Sequence, residues 1–113
     1  MKYQKIILLF SSLLFSFNLL AAGNSNGGKV AHIASVNDVL LFSIIGNSES
    51  NRPACSTTKR FSVRKDSIHV SVIISAFETG RELKNVRGFG SCNLWGNSED
   101  LRWIEVCPIS GCL

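Results

Sequence analysis

This chain has little of what catalytic and metal-binding proteins usually display. Among 113 residues there are two histidines. Cys107-Pro108-Ile109-Ser110-Gly111-Cys112 has near-ligand spacing, but Cys55 and Cys92 stand alone. With so few histidines beside them, that argues against a metal site. His32 sits in a strand-like stretch with no nearby partner, which suits a surface or edge residue better than a catalytic one. Ser91 beside Cys92 lacks the glycine-spaced helix entry of a nucleophile elbow. Glu99 and Asp100 are adjacent, so on a strand their side chains point to opposite faces. That arrangement suits capping a loop or strand end, not sharing a scissile bond. The chain is therefore expected not to be an enzyme and to need no cofactor. No internal repeat, heptad or low-complexity tract is present.

Long apolar runs are also missing. Met1–Lys5 is a short basic lead, and Ile6–Leu20 is apolar apart from Ser11, Ser12, Ser16 and Asn18. The run falls short of the roughly 20 residues a membrane span needs. Small residues follow at Ala21-Ala22-Gly23. Basic, apolar and then small is the order of a secretory signal peptide. Residues 1–22 are read as that leader, cleaved after Ala22, and residues 23–113 as a single domain. The mature chain is then exported, secreted or periplasmic, with no membrane span.

A domain this short buries a modest share of its surface and often needs a staple or a partner. All four cysteines, Cys55, Cys92, Cys107 and Cys112, lie in the exported part. An even number in an oxidising compartment predicts disulfides, with three pairings open.

Losing Lys2 and Lys5 with the leader lowers the formal charge from +4 to +2. Arg52, Lys59, Arg60, Arg64 and Lys65 form a local basic cluster. A nucleic-acid surface would interleave aromatics with it, and only Phe61 is there. A solvated basic face is expected, and no nucleic-acid partner.

The most specialised stretch is Gly88–Asp100, with three glycines, Cys92, Trp95 and two acids between strand-like runs at Leu83–Arg87 and Leu101–Val106. Glycine lets the backbone bend or approach a neighbour closely. Upstream, Gly23–Gly28 reads as a flexible polar leader. Lys29–Ile45 reads as two strand-like halves around an Asn37-Asp38 turn. Gly46–Pro53 is a loop by composition, and Arg60–Arg64 a short strand. Asp66–Thr79 carries β-branched residues, but its length favours a helix capped by Asp66 or Ser67 and ended by Gly80. Its apolar stripe would be Ile68, Val72 and Ala76, with Ile73 and Phe77 beside it.

The order strand, strand, strand, helix, strand, strand predicts a mainly β domain with one helix, a small OB-like five-stranded barrel stapled by disulfides. Such barrels bind oligosaccharides or oligonucleotides through one face and its loops. Pro53-Ala54-Cys55, the helix end at Ala76-Phe77-Glu78-Thr79-Gly80 and the second cysteine at Gly88–Cys92 resemble the binding subunits of subtilase-cytotoxin and pertussis-type toxins. The Gly88-x-Gly90-x-Cys92-x-x-Trp95-Gly96-x-Ser98-Glu99-Asp100 signature is similar to that of small secreted bacterial proteins of no assigned activity. The toxin resemblance implies a Cys55–Cys92 link, leaving Cys107 and Cys112 as this chain's own pair. It also implies a homo-oligomer, in that family a pentameric ring, a glycan receptor and a catalytic toxin subunit as partner. That family's glycan-contacting serine near the first strand has no counterpart, since Gly27 or Gly28 falls there. Its sugar-binding residues are therefore not carried over.

From the residues themselves, Trp95, Asn97, Ser98, Glu99 and Arg102 form the candidate glycan site. A stacking ring beside amides and charged groups suits the C–H faces and hydroxyls of a sugar. A plug at the barrel end and a polar turn would explain the same residues. Trp103 is expected to face away from Ile104, partly exposed, where it can serve a subunit interface. The remaining reading is a monomeric periplasmic accessory protein that binds another protein.

Overall fold

The computed structural model describes residues 21–113. The basic lead and the apolar run of the expected leader lie outside the described residues. Five strands and one helix follow in the order β1 (Asn24–Val36), β2 (Val39–Ser50), β3 (Phe61–Arg64), α1 (His69–Thr79), β4 (Leu83–Gly88) and β5 (Glu99–Val106).

The Asn37-Asp38 turn joins β1 and β2 as an antiparallel hairpin, Val36 opposite Val39, and Asn37 takes a left-handed φ of 52°. Asparagine tolerates that region because its short polar side chain can bond locally. The hairpin is longer than composition suggests. Gly23–Gly28 is not a flexible leader, because Asn24–Asn26 pairs with β2 on one side and with Asn85–Arg87 of β4 on the other. Gly46–Ser50 is likewise strand, not loop. Backbone pairing on both sides outweighs the weak strand propensity of these polar residues, which is a context effect more than an intrinsic one.

The strands close on themselves in the order β1-β2-β3-β5-β4. Neighbours run antiparallel except β3 and β5, which meet in parallel at Phe61–Glu99 and Ser62–Asp100. Alternation along β2 sends Leu40, Phe42 and Ile44 inward, where they meet Phe61, Val63, Leu83, Val86 and Leu101. Phe42 and Phe61 stack with ring centroids 5.7 Å apart and no exposed surface. Truncating either to alanine costs about 3–5 kcal/mol.

α1 closes one side over β1, β3 and β5. It starts later than Asp66, at His69, with Ile68 as N-cap in a helical conformation and no side-chain cap. The Ser67 hydroxyl instead accepts from the His69 amide at 3.1 Å. Gly80 ends the helix at φ 64°, as its position predicts. The buried stripe is Ile73 and Ala76, three residues apart, and not Ile68, Val72 and Ala76. Ile68 is 83% exposed, and Val72, Ile74 and Phe77 also face outward.

Two disulfides staple the domain, Cys55–Cys92 between the β2–β3 and β4–β5 connections and Cys107–Cys112 in the tail. They match an oxidising, exported environment. Among the described residues, no helix is long and apolar enough to cross a membrane.

Candidate functional site

Two adjacent acids at the start of β5 organise the Gly88–Asp100 segment, and they do so on opposite faces. Asp100 gathers the loop. Its carboxylate accepts from the Ser91 hydroxyl at 2.9 Å and from the backbone amides of Asn93 and Leu94 at 3.1 Å. The Asp100 amide donates to the Ser91 carbonyl at 2.8 Å, and Phe89 donates back to the Asp100 carbonyl at 3.0 Å. Several charge-assisted bonds to one carboxylate hold a loop that has little apolar surface of its own to bury.

Glu99 turns to the other face and has no exposed surface. Its Oε2 accepts from the amides of Gly23 at 2.8 Å and Gly90 at 2.9 Å. Its Oε1 lies 2.9 Å from Arg52 Nε. Gly88 allows this, since a Cβ there would stand 2.0 Å from Glu99 Oε2. Arg52 is correspondingly not part of a solvated basic face. Its side chain is 12% exposed, it pairs with Glu49 at 3.2 Å, and its guanidinium lies 3.9 Å from the Phe61 ring centroid. Lys59, Arg64 and Lys65 are exposed, as expected.

A groove of about 860 Å³ opens between the β3–α1 connection and the Phe89–Leu94 loop. Arg64, His69, Phe89, Asn93, Leu94 and Arg102 line it. Of the candidate glycan residues, only Arg102 is among its walls. Trp95 is half-buried and makes a tight turn with Ser98, whose amide donates to the Trp95 carbonyl at 3.1 Å. The Asn97 carbonyl accepts from the Thr58 hydroxyl at 2.8 Å, and the buried Ser98 hydroxyl lies 3.1 Å from that of Thr58. Asn97 and Ser98 tie the segment to the Cys55–Arg60 loop, and Glu99 is an internal strut. The candidates therefore do not converge on one surface.

The ring at the groove is Phe89, 61% exposed. Its position inside the glycine-rich stretch was visible, but nothing in the spacing separates it from Trp95. His69 and Arg64 were equally hard to find, because only the turn between β3 and α1 brings them opposite Asn93 and Arg102. Trp103 is 47% exposed, as its place opposite Ile104 predicts, with the Arg87 guanidinium 5.9 Å from its ring centroid. His32 is exposed, its Nδ1 3.5 Å from the Ser43 hydroxyl. Among the described residues, no three histidine, cysteine or acidic side chains gather in a way that could hold a metal ion.

The arrangement offers an aromatic face, an amide and two guanidinium groups, of which Arg64 is paired with Asp66 at 3.4 Å, on a disulfide-anchored rim. No family model, no curated protein and no solved structure matches the chain.

Proposed function

We propose that this chain is an exported, non-catalytic binding module of OB type that recognises glycans through the groove between the β3–α1 connection and the Phe89–Leu94 loop. The observation that carries the reading is the convergence of Phe89 with Arg64, Asn93 and Arg102 around one open groove. An aromatic face can cover the C–H side of a sugar ring, an amide can bond its hydroxyls, and guanidinium groups suit a carboxylate. The glycan class favoured is therefore one that bears a carboxylate. The strand order, the parallel β3–β5 contact and the helix between β3 and β4 support the OB-type reading.

The outward apolar side of α1, with Ile68, Val72 and Phe77, supports assembly with further copies or with a larger catalytic chain. A second reading, a monomeric periplasmic protein docking on another protein, draws on the same surface. Light scattering on the mature chain separates them: a uniform oligomer supports the binding-subunit reading, and a monomer at high concentration favours the accessory protein.

A glycan array tests the site. Binding that survives Trp95→Ala and is lost in Phe89→Ala and Arg102→Ala supports the groove. Binding unchanged in both groove variants, or no binding by any protein, overturns it.

A further inference from the structure

Gly23 is buried, and its backbone nitrogen sits 2.8 Å from a carboxylate with no exposed surface. That carboxylate, Glu99, has one cationic side chain in reach among the described residues, Arg52, and Arg52 is shared with Glu49. The Arg52 and Glu49 side chains are only 12% and 17% exposed. Two carboxylates thus face one guanidinium in a largely desolvated cluster, which leaves one negative charge uncompensated. Burying an unpaired charge is among the most costly arrangements a fold can contain. Glu99 Oε1 is also short of a hydrogen bond, because Arg52 Nε approaches it closely without aligning a proton on it.

The chain's own sequence supplies the missing cation. Gly23 follows Ala21-Ala22 at the point where the basic, apolar and small pattern places signal-peptide cleavage. We propose that hydrolysis of the Ala22–Gly23 bond turns the Gly23 nitrogen into the second cation of this cluster, so that leader removal completes the fold. A signal peptidase would add one water across the peptide bond, leaving a carboxylate on Ala22 and an amine on Gly23 that takes up a proton. An amide at that position gives Glu99 one N–H. The ammonium gives three donors and a full charge, enough to keep Oε2 and serve Oε1.

Position 23 is shaped for this role. A Cβ there would lie 2.2 Å from Glu99 Oε1 and 2.7 Å from Arg52 Cδ, so glycine alone lets the terminus reach the cluster. The Gly23 carbonyl is held as well, accepting from the Gly88 amide at 2.9 Å.

The intact mass of the exported protein comes first, and a terminus at any residue other than Gly23 overturns the proposal. Urea unfolding then compares the chain starting at Gly23 with one retaining Ala21-Ala22, each also carrying Glu99→Gln. The native terminus raises the folded-to-unfolded ratio by at least about tenfold, as expected for a charge-assisted buried contact, and Glu99→Gln removes most of that difference. Equal stability of the two chains with Glu99 intact overturns it. Should Glu99→Gln fail to fold, labelling of the native chain with an amine-reactive ester decides. An α-amine protected until urea unfolds the protein supports the proposal, and one labelled as fast as in the unfolded chain sinks it.

Discussion

Arg52 and Glu99 meet at 2.9 Å beside the Phe61 ring, a contact that joins the segment after β2 to the first residue of β5. The pair links the two sides of the domain that the parallel β3–β5 contact brings together. Removing Arg52 leaves the buried Glu99 without its guanidinium, whereas removing the Glu99 charge leaves Arg52 with Glu49. Arg52→Met is therefore expected to cost about 3–5 kcal/mol, and Glu99→Gln less, since Arg52 keeps Glu49. The double variant should cost clearly less than the sum, because the buried Glu99 charge that Arg52→Met leaves without its guanidinium is then absent. Urea titrations of the three proteins measure this, and additive costs would show that the two side chains act independently.

The two disulfides should contribute unequally. Cys55–Cys92 spans a sequence separation of 37 and Cys107–Cys112 one of 5. Loop-closure entropy predicts about 4 kcal/mol for the first and about 2 kcal/mol for the second. Paired cysteine-to-alanine variants, followed by thermal unfolding, should rank in that order. The reverse ranking would mean that the tail bridge secures more of the fold than its own short loop.

The strand and helix order, the hairpin turn at Asn37-Asp38 and the helix stop at Gly80 were legible because each has a local cause: alternation, a turn residue or a left-handed cap. The ends of β1 and β2 were not. Asn24–Gly28 and Gly46–Ser50 are polar and glycine-rich, and only pairing with each other, with β4 helping at Asn24–Asn26, makes them strands. The helix stripe was misassigned for a related reason: the choice between Ile68 and Ile73 depends on where the helix lies over β1, β3 and β5. Arg52 read as one of a solvated cluster, since a charge count cannot reveal a buried carboxylate from residue 99. The site was the least legible part, because the groove gathers Arg64, His69, Asn93 and Arg102 from separate segments. Glu99 and Asp100 were the exception, their adjacency alone implying opposite faces and a capping role.

Asp100 gives a prediction about dynamics. Asp100→Ala leaves the Asn93 and Leu94 amides without their acceptor and frees the Ser91 hydroxyl. The loop that forms one wall of the groove should then open while the core stays closed. Hydrogen exchange is expected to accelerate at Asn93 and Leu94 and to remain slow at Phe42 and Val63, as for a local opening. Acceleration spread evenly over all strands would mean that Asp100 supports the whole fold. Because the groove needs this wall, the proposed glycan binding should weaken in the same variant.

The stability that the proposed Gly23 terminus adds depends on pH. The groups that face the Gly23 nitrogen are Glu99 from β5, Arg52 from the segment after β2 and, through Arg52, Glu49 from β2. A free α-amine ordinarily titrates at about 7.7–8.0, and pairing with a buried carboxylate favours its charged form. At the proposed terminus this pairing must outweigh burial, which alone disfavours the charged amine, so that the value in the folded chain lies above that in the unfolded chain. The stability it adds is fully present below about pH 8 and is lost as pH rises through the higher folded value. Melting temperatures from neutral to alkaline pH should fall more steeply for the chain starting at Gly23 than for one retaining Ala21-Ala22. The lysines are common to both chains and cancel in the comparison. Parallel curves would show that the terminus carries no buried charge, whatever its distance from Glu99.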